Sequence, residues 1–140
     1  MRFVVDNSVV MRWLFADGSP ADLGYARKIL ALFQEPATLA LVPAVWPLEV
    51  GNVIARAEAK GLLQEARSAG FLSLLRDMAI EIDVRSAEFA LTDALQLARR
   101  HGLSTYDASY LELALRESMP LATNDAALRK ALRKAGGKLA

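Results

Sequence analysis

Cysteine is absent from the 140-residue chain, and histidine occurs once, at His101. The first absence excludes a disulfide framework, a thiolate zinc site and a cysteine nucleophile, so stability rests on a packed core and a reducing cytoplasm suits the chain. The second leaves no His-rich metal site. His101 follows Arg99 and Arg100 and precedes Gly102, where it reads as a cationic helix end and not as a general base. Long apolar runs are also missing. The longest, Ala37 to Val50, is broken by Pro43, Pro47 and Glu49, and an acid stands at position 6, so neither a membrane span nor a signal peptide is expected. Charge of one sign is not in excess either: 17 Lys and Arg meet 16 Asp and Glu for a net +1, too balanced to announce a polyanion partner.

What is present is apolar matter, 54% of the residues, enough for one domain over 1–140 with its own core. Charge is distributed unevenly. Arg129, Lys130, Arg133, Lys134 and Lys138 follow Asp125 with no acid among them, so a basic tail follows an acidic body; such cations suit a helix C-terminus or a phosphate-contacting arm.

The hydrophobic period alternates between strand and helix without internal repeats. Arg2 to Val5 is a β-branched and aromatic run stopped by Asp6-Asn-Ser8, and predicts a buried strand. Val9 to Phe15 predicts a short helix, and Ser19-Pro20 opens a longer one reaching about Gln34. Thr38 to Val42 predicts the second strand. From Pro43 to Lys60 a helix places Trp46, Val50, Val53, Ile54 and Ala57 on one face, bordered by Glu49, and Gly61 stops it. Gln64 to Met78 predicts a helix, Ala79 to Val84 a third strand, and Ser86 to Gly102 one further helix. Ser104-Thr-Tyr-Asp107 has the form of a capping box for a helix through Arg116; Leu121 to Thr123 predicts a fourth strand, and Asp125 caps the last helix.

Strands separated by helices give right-handed crossovers and a mostly parallel sheet of four to five strands between two helical layers, an α/β/α sandwich. Function in such sheets gathers at the carboxyl ends of the strands, and those ends carry acids: Asp6 after the first strand, Glu49 after the second, Asp107 at a helix opening, Asp125 after the fourth. Singly, caps and helix dipoles explain Asp6, Asp107 and Asp125, and solvation explains Glu49. Together they are expected on one rim. Four carboxylates within about 5 Å repel by roughly 3 kcal/mol per pair at an effective dielectric near 20, so such a group calls for a cation or a shared proton. An all-oxygen donor set without cysteine favours Mg²⁺ or Mn²⁺ over zinc.

The segments Val4-Val-Asp6-Asn-Ser8, Glu49-Val-Gly-Asn52, Leu103-Ser-Thr-Tyr-Asp107-Ala-Ser-Tyr-Leu-Glu-Leu-Ala114 and Leu121-Ala-Thr123-Asn-Asp125 fall in the order and spacing of PIN domains. The chain resembles most nearly the VapC-like ribonuclease toxins of type II toxin-antitoxin pairs. That resemblance implies a Mg²⁺- or Mn²⁺-dependent endoribonuclease with Asp6, Glu49, Asp107 and Asp125 as its acidic cluster. Asp6, Asp107 and Asp125 are the expected metal holders and Glu49 the group that activates water. Ser8, Thr123 and Asn124 are expected in support. It also implies a small antitoxin that inserts a segment into the acidic groove, and a homodimer formed through the early helices. Two departures are visible. The carboxyl end offers only Gly136-Gly-Lys-Leu-Ala140 for a fifth strand, predicting a short one or none. Asn7 stands between Asp6 and Ser8, which removes no ligand.

RNA beside carboxylates needs cations on their flanks, and Arg12, Arg99, Arg100, Arg129 and Lys130 are the sequence candidates. Trp13 and Trp46 lie on apolar stretches and are expected in packing, while Tyr106 and Tyr110, one turn apart at the Asp107 helix, are expected partly buried with the hydroxyl toward the groove, outside the catalytic set. The alternative function is a PIN-like module that binds RNA or protein without cutting, its acids serving as caps. A receiver-like phosphoacceptor lacks its paired early acids and late lysine, and a haloacid-dehalogenase-like phosphatase lacks an acid at position 8, where Ser8 stands.

Overall fold

In the computed structural model, which describes all 140 residues, the β-branched and aromatic run Arg2–Val5 is strand β1. Phe3, Val4 and Val5 are sealed from solvent on both faces, as a central parallel strand requires. Helices α1 (Asn7–Leu14) and α2 (Pro20–Leu32) lead to β2 (Leu39–Pro43), and α3 (Trp46–Ala59) and α4 (Glu65–Asp77) lead to β3 (Ile80–Asp83). Helices α5 (Asp93–His101) and α6 (Thr105–Arg116) then lead to β4 (Leu121–Ala122), and α7 (Ala126–Lys134) closes the chain.

The sheet is entirely parallel, in the order β3-β2-β1-β4. With right-handed crossovers, β1 to β2 and β2 to β3 advance in one direction and lay α1 to α4 on one face. The connection from β3 to β4 returns past two strands, which lays α5 and α6 on the other; α6 packs on β1 and β2. The α/β sandwich expected from the sequence is the observed class. The reversal of strand order falls between β1 and β4, so the crevice at their carboxyl ends is the place where such a sheet opens to a ligand.

Two sequence expectations need adjustment. Helix α3 starts at Trp46, not Pro43, because Pro43 pairs with Asp83 as the last residue of β2. The single helix expected over 86–102 is broken: Ser86–Phe89 is a turn of 3-10 helix, and Thr92 leaves helical backbone at φ −119°, ψ −98° before α5 begins. Tertiary anchors override the helical period there. The Ser86 hydroxyl donates to the Asp83 carbonyl and accepts from the Ala44 amide, and the Phe89 ring lies beneath the guanidinium of Arg116. The carboxyl end, expected to give a short strand or none, makes a single parallel bridge between Leu139 and Leu121.

Arg116 ties α6 to the end of β3. It pairs with Asp83, with Glu112 at 2.7 Å and with Glu117 at 2.9 Å. Glu112 itself is buried. Burial disfavours the charged guanidinium, but Glu112 and Asp83 outweigh it and hold Arg116 firmly protonated.

Candidate functional site

The crevice predicted by the topology is a groove of about 510 Å³, lined among others by Asp6, Ser8, Glu49, Asp107 and Asp125. Asp6 occupies the N-cap position of α1, with extended backbone, yet its carboxylate makes no capping bond. The oxygen Oδ2 instead accepts from the hydroxyls of Ser8 (2.6 Å) and Thr123 (2.7 Å). Thr123 is fully buried just beyond β4, so the two strands flanking the switch point are joined through one carboxylate. Asp6 is therefore more than a cap. Asp125 is a cap as well as a groove residue: Oδ1 accepts from the Leu128 amide at 2.7 Å, and Oδ2 accepts no hydrogen bond. The Ser104 hydroxyl accepts from the Asp107 amide at 3.1 Å, so the N-cap half of the box expected at Ser104 is formed and Asp107 lies in the first turn of α6.

Glu49 is half-buried in the first turn of α3 and receives the Tyr110 hydroxyl on Oε1 at 2.5 Å. Tyr110 is wholly enclosed, and burial, then the bond to Glu49, keeps its phenol protonated far above the usual range. The hydroxyl expected toward the groove is there in Tyr110, on a ring buried fully and not in part, whereas Tyr106 is exposed and lines a different depression. The partner of Tyr110, Glu49, is not signalled by the spacing within α6, because it lies 61 residues away.

The carboxylates feel one another. Burial raises the affinity of Asp6 for a proton, opposed by the bonds from Ser8 and Thr123 and reinforced by Asp107. Burial likewise raises Glu49, with Asp6 and Asp107 adding to it against the Tyr110 bond. Asp107 is raised by burial and then by Asp125. The convergence is nonetheless looser than a chelate: no three Asp, Glu or His side chains stand as a group that could hold a metal ion. The four acids line one groove without forming such a group. The donor chemistry still suits a hard divalent cation, since all four acids present oxygen and Glu49 Oε2 and Asp125 Oδ2 are uncommitted.

The remaining sequence candidates divide. Arg12 lines the groove, but Asp17 holds it at 2.9 Å. Asn124 donates its amide N–H to Ser8 Oγ, which steadies the serine, while its side chain turns to the Asp22 carbonyl and to Arg129. Arg129 lies over the Tyr25 ring and donates to the Thr123 carbonyl, behind the site. Lys130 is exposed on α7, and neither it nor Arg99, Arg100 or Arg129 lines the groove. Arg100 instead borders a separate depression with Glu112 and Arg116, because α5 packs along α6. The groove cations missed by sequence reasoning are Arg56 and Lys60. They stand seven and eleven residues after Glu49, a helical spacing that places all three on one stripe of α3. Of the aromatics, Trp13 donates to the Ala26 carbonyl and meets Phe33 edge-on, and Trp46 is buried, so both pack.

A parallel four-stranded α/β sheet with a carboxylate-lined crevice at the β1/β4 switch defines the class. Residues 3–134 match the PIN domain family model, and the chain belongs to the PIN-domain family. Among curated proteins it is similar to Ribonuclease VapC3 of Pyrobaculum aerophilum, with 31% identity over 125 residues, covering 89% of this chain and 90% of that one. Its fold is shared with another crystal structure from Pyrobaculum aerophilum (TM-score 0.66, 20% identity, 94% of this chain and 79% of that). It is also shared with VapBC2 from Rickettsia felis bound to a DNA fragment from their promoter (TM-score 0.65, 14% identity, 100% and 98%) and with FitAcB from Neisseria gonorrhoeae (0.61, 16%, 99% and 96%). No helix is long and apolar enough to cross a membrane.

Proposed function

We propose that this protein is a VapC-type toxin, a Mg²⁺- or Mn²⁺-dependent endoribonuclease that acts in the cytoplasm and is held in check by a small antitoxin. The observation that carries the reading is that Asp6, Glu49, Asp107 and Asp125, from four separate segments, line one groove in which three of them are held above the ordinary carboxylate range. Asp6, Asp107 and Asp125 are the residues that would hold the cation. When bound, Mg²⁺ or Mn²⁺ supplies charge to a phosphodiester oxygen and lowers the pKa of water. Glu49, whose Oε2 is free while Tyr110 fixes Oε1, accepts the proton of a water attacking phosphorus in line. Ser8 and Thr123 keep Asp6 from rotating away. The identity with a curated VapC ribonuclease supports the substrate class, and the VapBC2 and FitAcB neighbours support an antitoxin partner. The same family reading extends to a homodimer built on the early helices.

The test is incubation of the purified protein with total RNA in Mg²⁺ or Mn²⁺, beside a chelator and Asp6→Asn. Cleavage that vanishes with the chelator and falls about a hundredfold, roughly 3 kcal/mol of transition-state stabilisation, in the variant supports the reading. Cleavage indifferent to both defeats it. RNA retention without cleavage selects the non-catalytic binding module instead.

A further inference from the structure

The groove has two ends of opposite character. Glu49, Val53, Arg56 and Lys60 recur at spacings of four, three and four along α3, so they form one stripe, and all four line the groove. From Glu49 the stripe carries Arg56 about 10 Å and Lys60 about 16 Å along the helix axis. Both are exposed, and neither pairs with a carboxylate. Arg12, the third cation of the groove, is by contrast neutralised by Asp17. Apolar surface lines the same groove: half-buried Phe15 and Val53, and Leu62, which is 71% exposed. Complementing the α3 carboxyl-terminal dipole asks only for a cation somewhere in the last turn; it does not account for two cations on the stripe that Glu49 begins.

We infer that Arg56 and Lys60 form a phosphate-binding subsite that continues the groove away from the acids and takes an unpaired stretch of RNA, with a nucleobase seated on Phe15 and Leu62. The inference rests on the ribonuclease reading and extends it to the residues that hold the substrate strand beyond the acids. An unpaired strand whose scissile phosphate lies at the carboxylates runs its neighbouring phosphates along α3, where the two free cations replace the counterions it sheds. An apolar wall receives the face of a splayed base, and a duplex keeps those faces stacked inside itself.

The experiment measures binding apart from cleavage. A mixed-sequence single-stranded RNA oligonucleotide is titrated by fluorescence anisotropy against Asp6→Asn, alone and combined with Arg56→Ala and Lys60→Ala, between 50 and 300 mM salt. Loss of two phosphate contacts lowers the slope of log affinity against log salt by about 1.4, and affinity at the low-salt end falls at least about tenfold. The charge-keeping pair Arg56→Lys with Lys60→Arg retains the slope. In the cleaving protein, Arg56→Ala with Lys60→Ala raises KM about tenfold and moves kcat far less. A duplex of the same sequence competes at least about tenfold more weakly. An unchanged slope overturns the subsite, equal competition by duplex overturns the unpaired substrate, and displacement of the RNA by a polyglutamate peptide of equal charge assigns the cations to a protein ligand and overturns the proposal. Absence of cleavage by the unmutated protein counts against the nuclease reading alone, because the anisotropy slope still reports the subsite.

Discussion

The hydroxyl of Tyr110, enclosed in the core, donates to Oε1 of Glu49 at 2.5 Å and so fixes a groove acid from the opposite helical layer. Tyr110→Phe removes that donor and little else. Glu49 then turns freely toward solvent, and the expected result is a roughly tenfold lower kcat with KM within about twofold. A hydrogen bond to a charged group contributes about 1.5–3 kcal/mol, so a modest fall in the urea midpoint accompanies it. Steady-state cleavage and urea unfolding check both.

Asp125 combines a cap with a charge, and two substitutions separate them. Asp125→Asn keeps an oxygen for the Leu128 amide and should retain stability while cleavage falls by at least about tenfold. Asp125→Ala loses the cap as well and should cost about 1 kcal/mol more in unfolding free energy. Equal activity in Asp125→Asn and the unmutated chain removes Asp125 from the site.

The raised proton affinity of Asp6 has a defined sign. Burial favours its neutral form in the folded protein, so the folded state binds more protons than the unfolded one above the ordinary carboxylate range near about 4. The stability it contributes is present below that range and is lost as pH rises through the raised value. In chelator, Asp6→Asn should therefore gain stability relative to the unmutated protein between pH 4.5 and 7.5, read as the difference in urea midpoints. Mn²⁺ at neutral pH should stabilise the unmutated protein more than the variant.

Arg116→Ala leaves buried Glu112 without its cation and frees Asp83. Breaking a buried pair on one side costs about 3–5 kcal/mol, and the thermal midpoint should drop accordingly. The groove lies elsewhere, so affinity for single-stranded RNA at a temperature where the variant is folded should be unaltered.

The parallel sheet and the four acids were legible in the amino-acid order because each depends on local signals: β-branched runs, caps and the residue that follows a strand. Asp6 was legible as a position but not in its role, since a carboxylate at an N-cap looks the same whether it caps α1 or, as here, accepts Ser8 and Thr123. The break at Thr92 was hidden because Phe89 is held by Arg116, twenty-seven residues on. Arg56 and Lys60 were readable from the period of α3 once Glu49 was placed, whereas the Tyr110 bond depended on how α6 packs across the sheet. The mutual influence of the acids on their proton affinities was not readable either, because it depends on burial in the finished crevice.

The bond between Thr123 and Asp6 joins residues 117 positions apart. A polypeptide that ends before β4 has Asp6 without Thr123 or Asp125, and the crevice lacks one wall. On the proposed nuclease reading, prematurely terminated products should therefore be inert, the acid site being completed only by the last quarter of the chain.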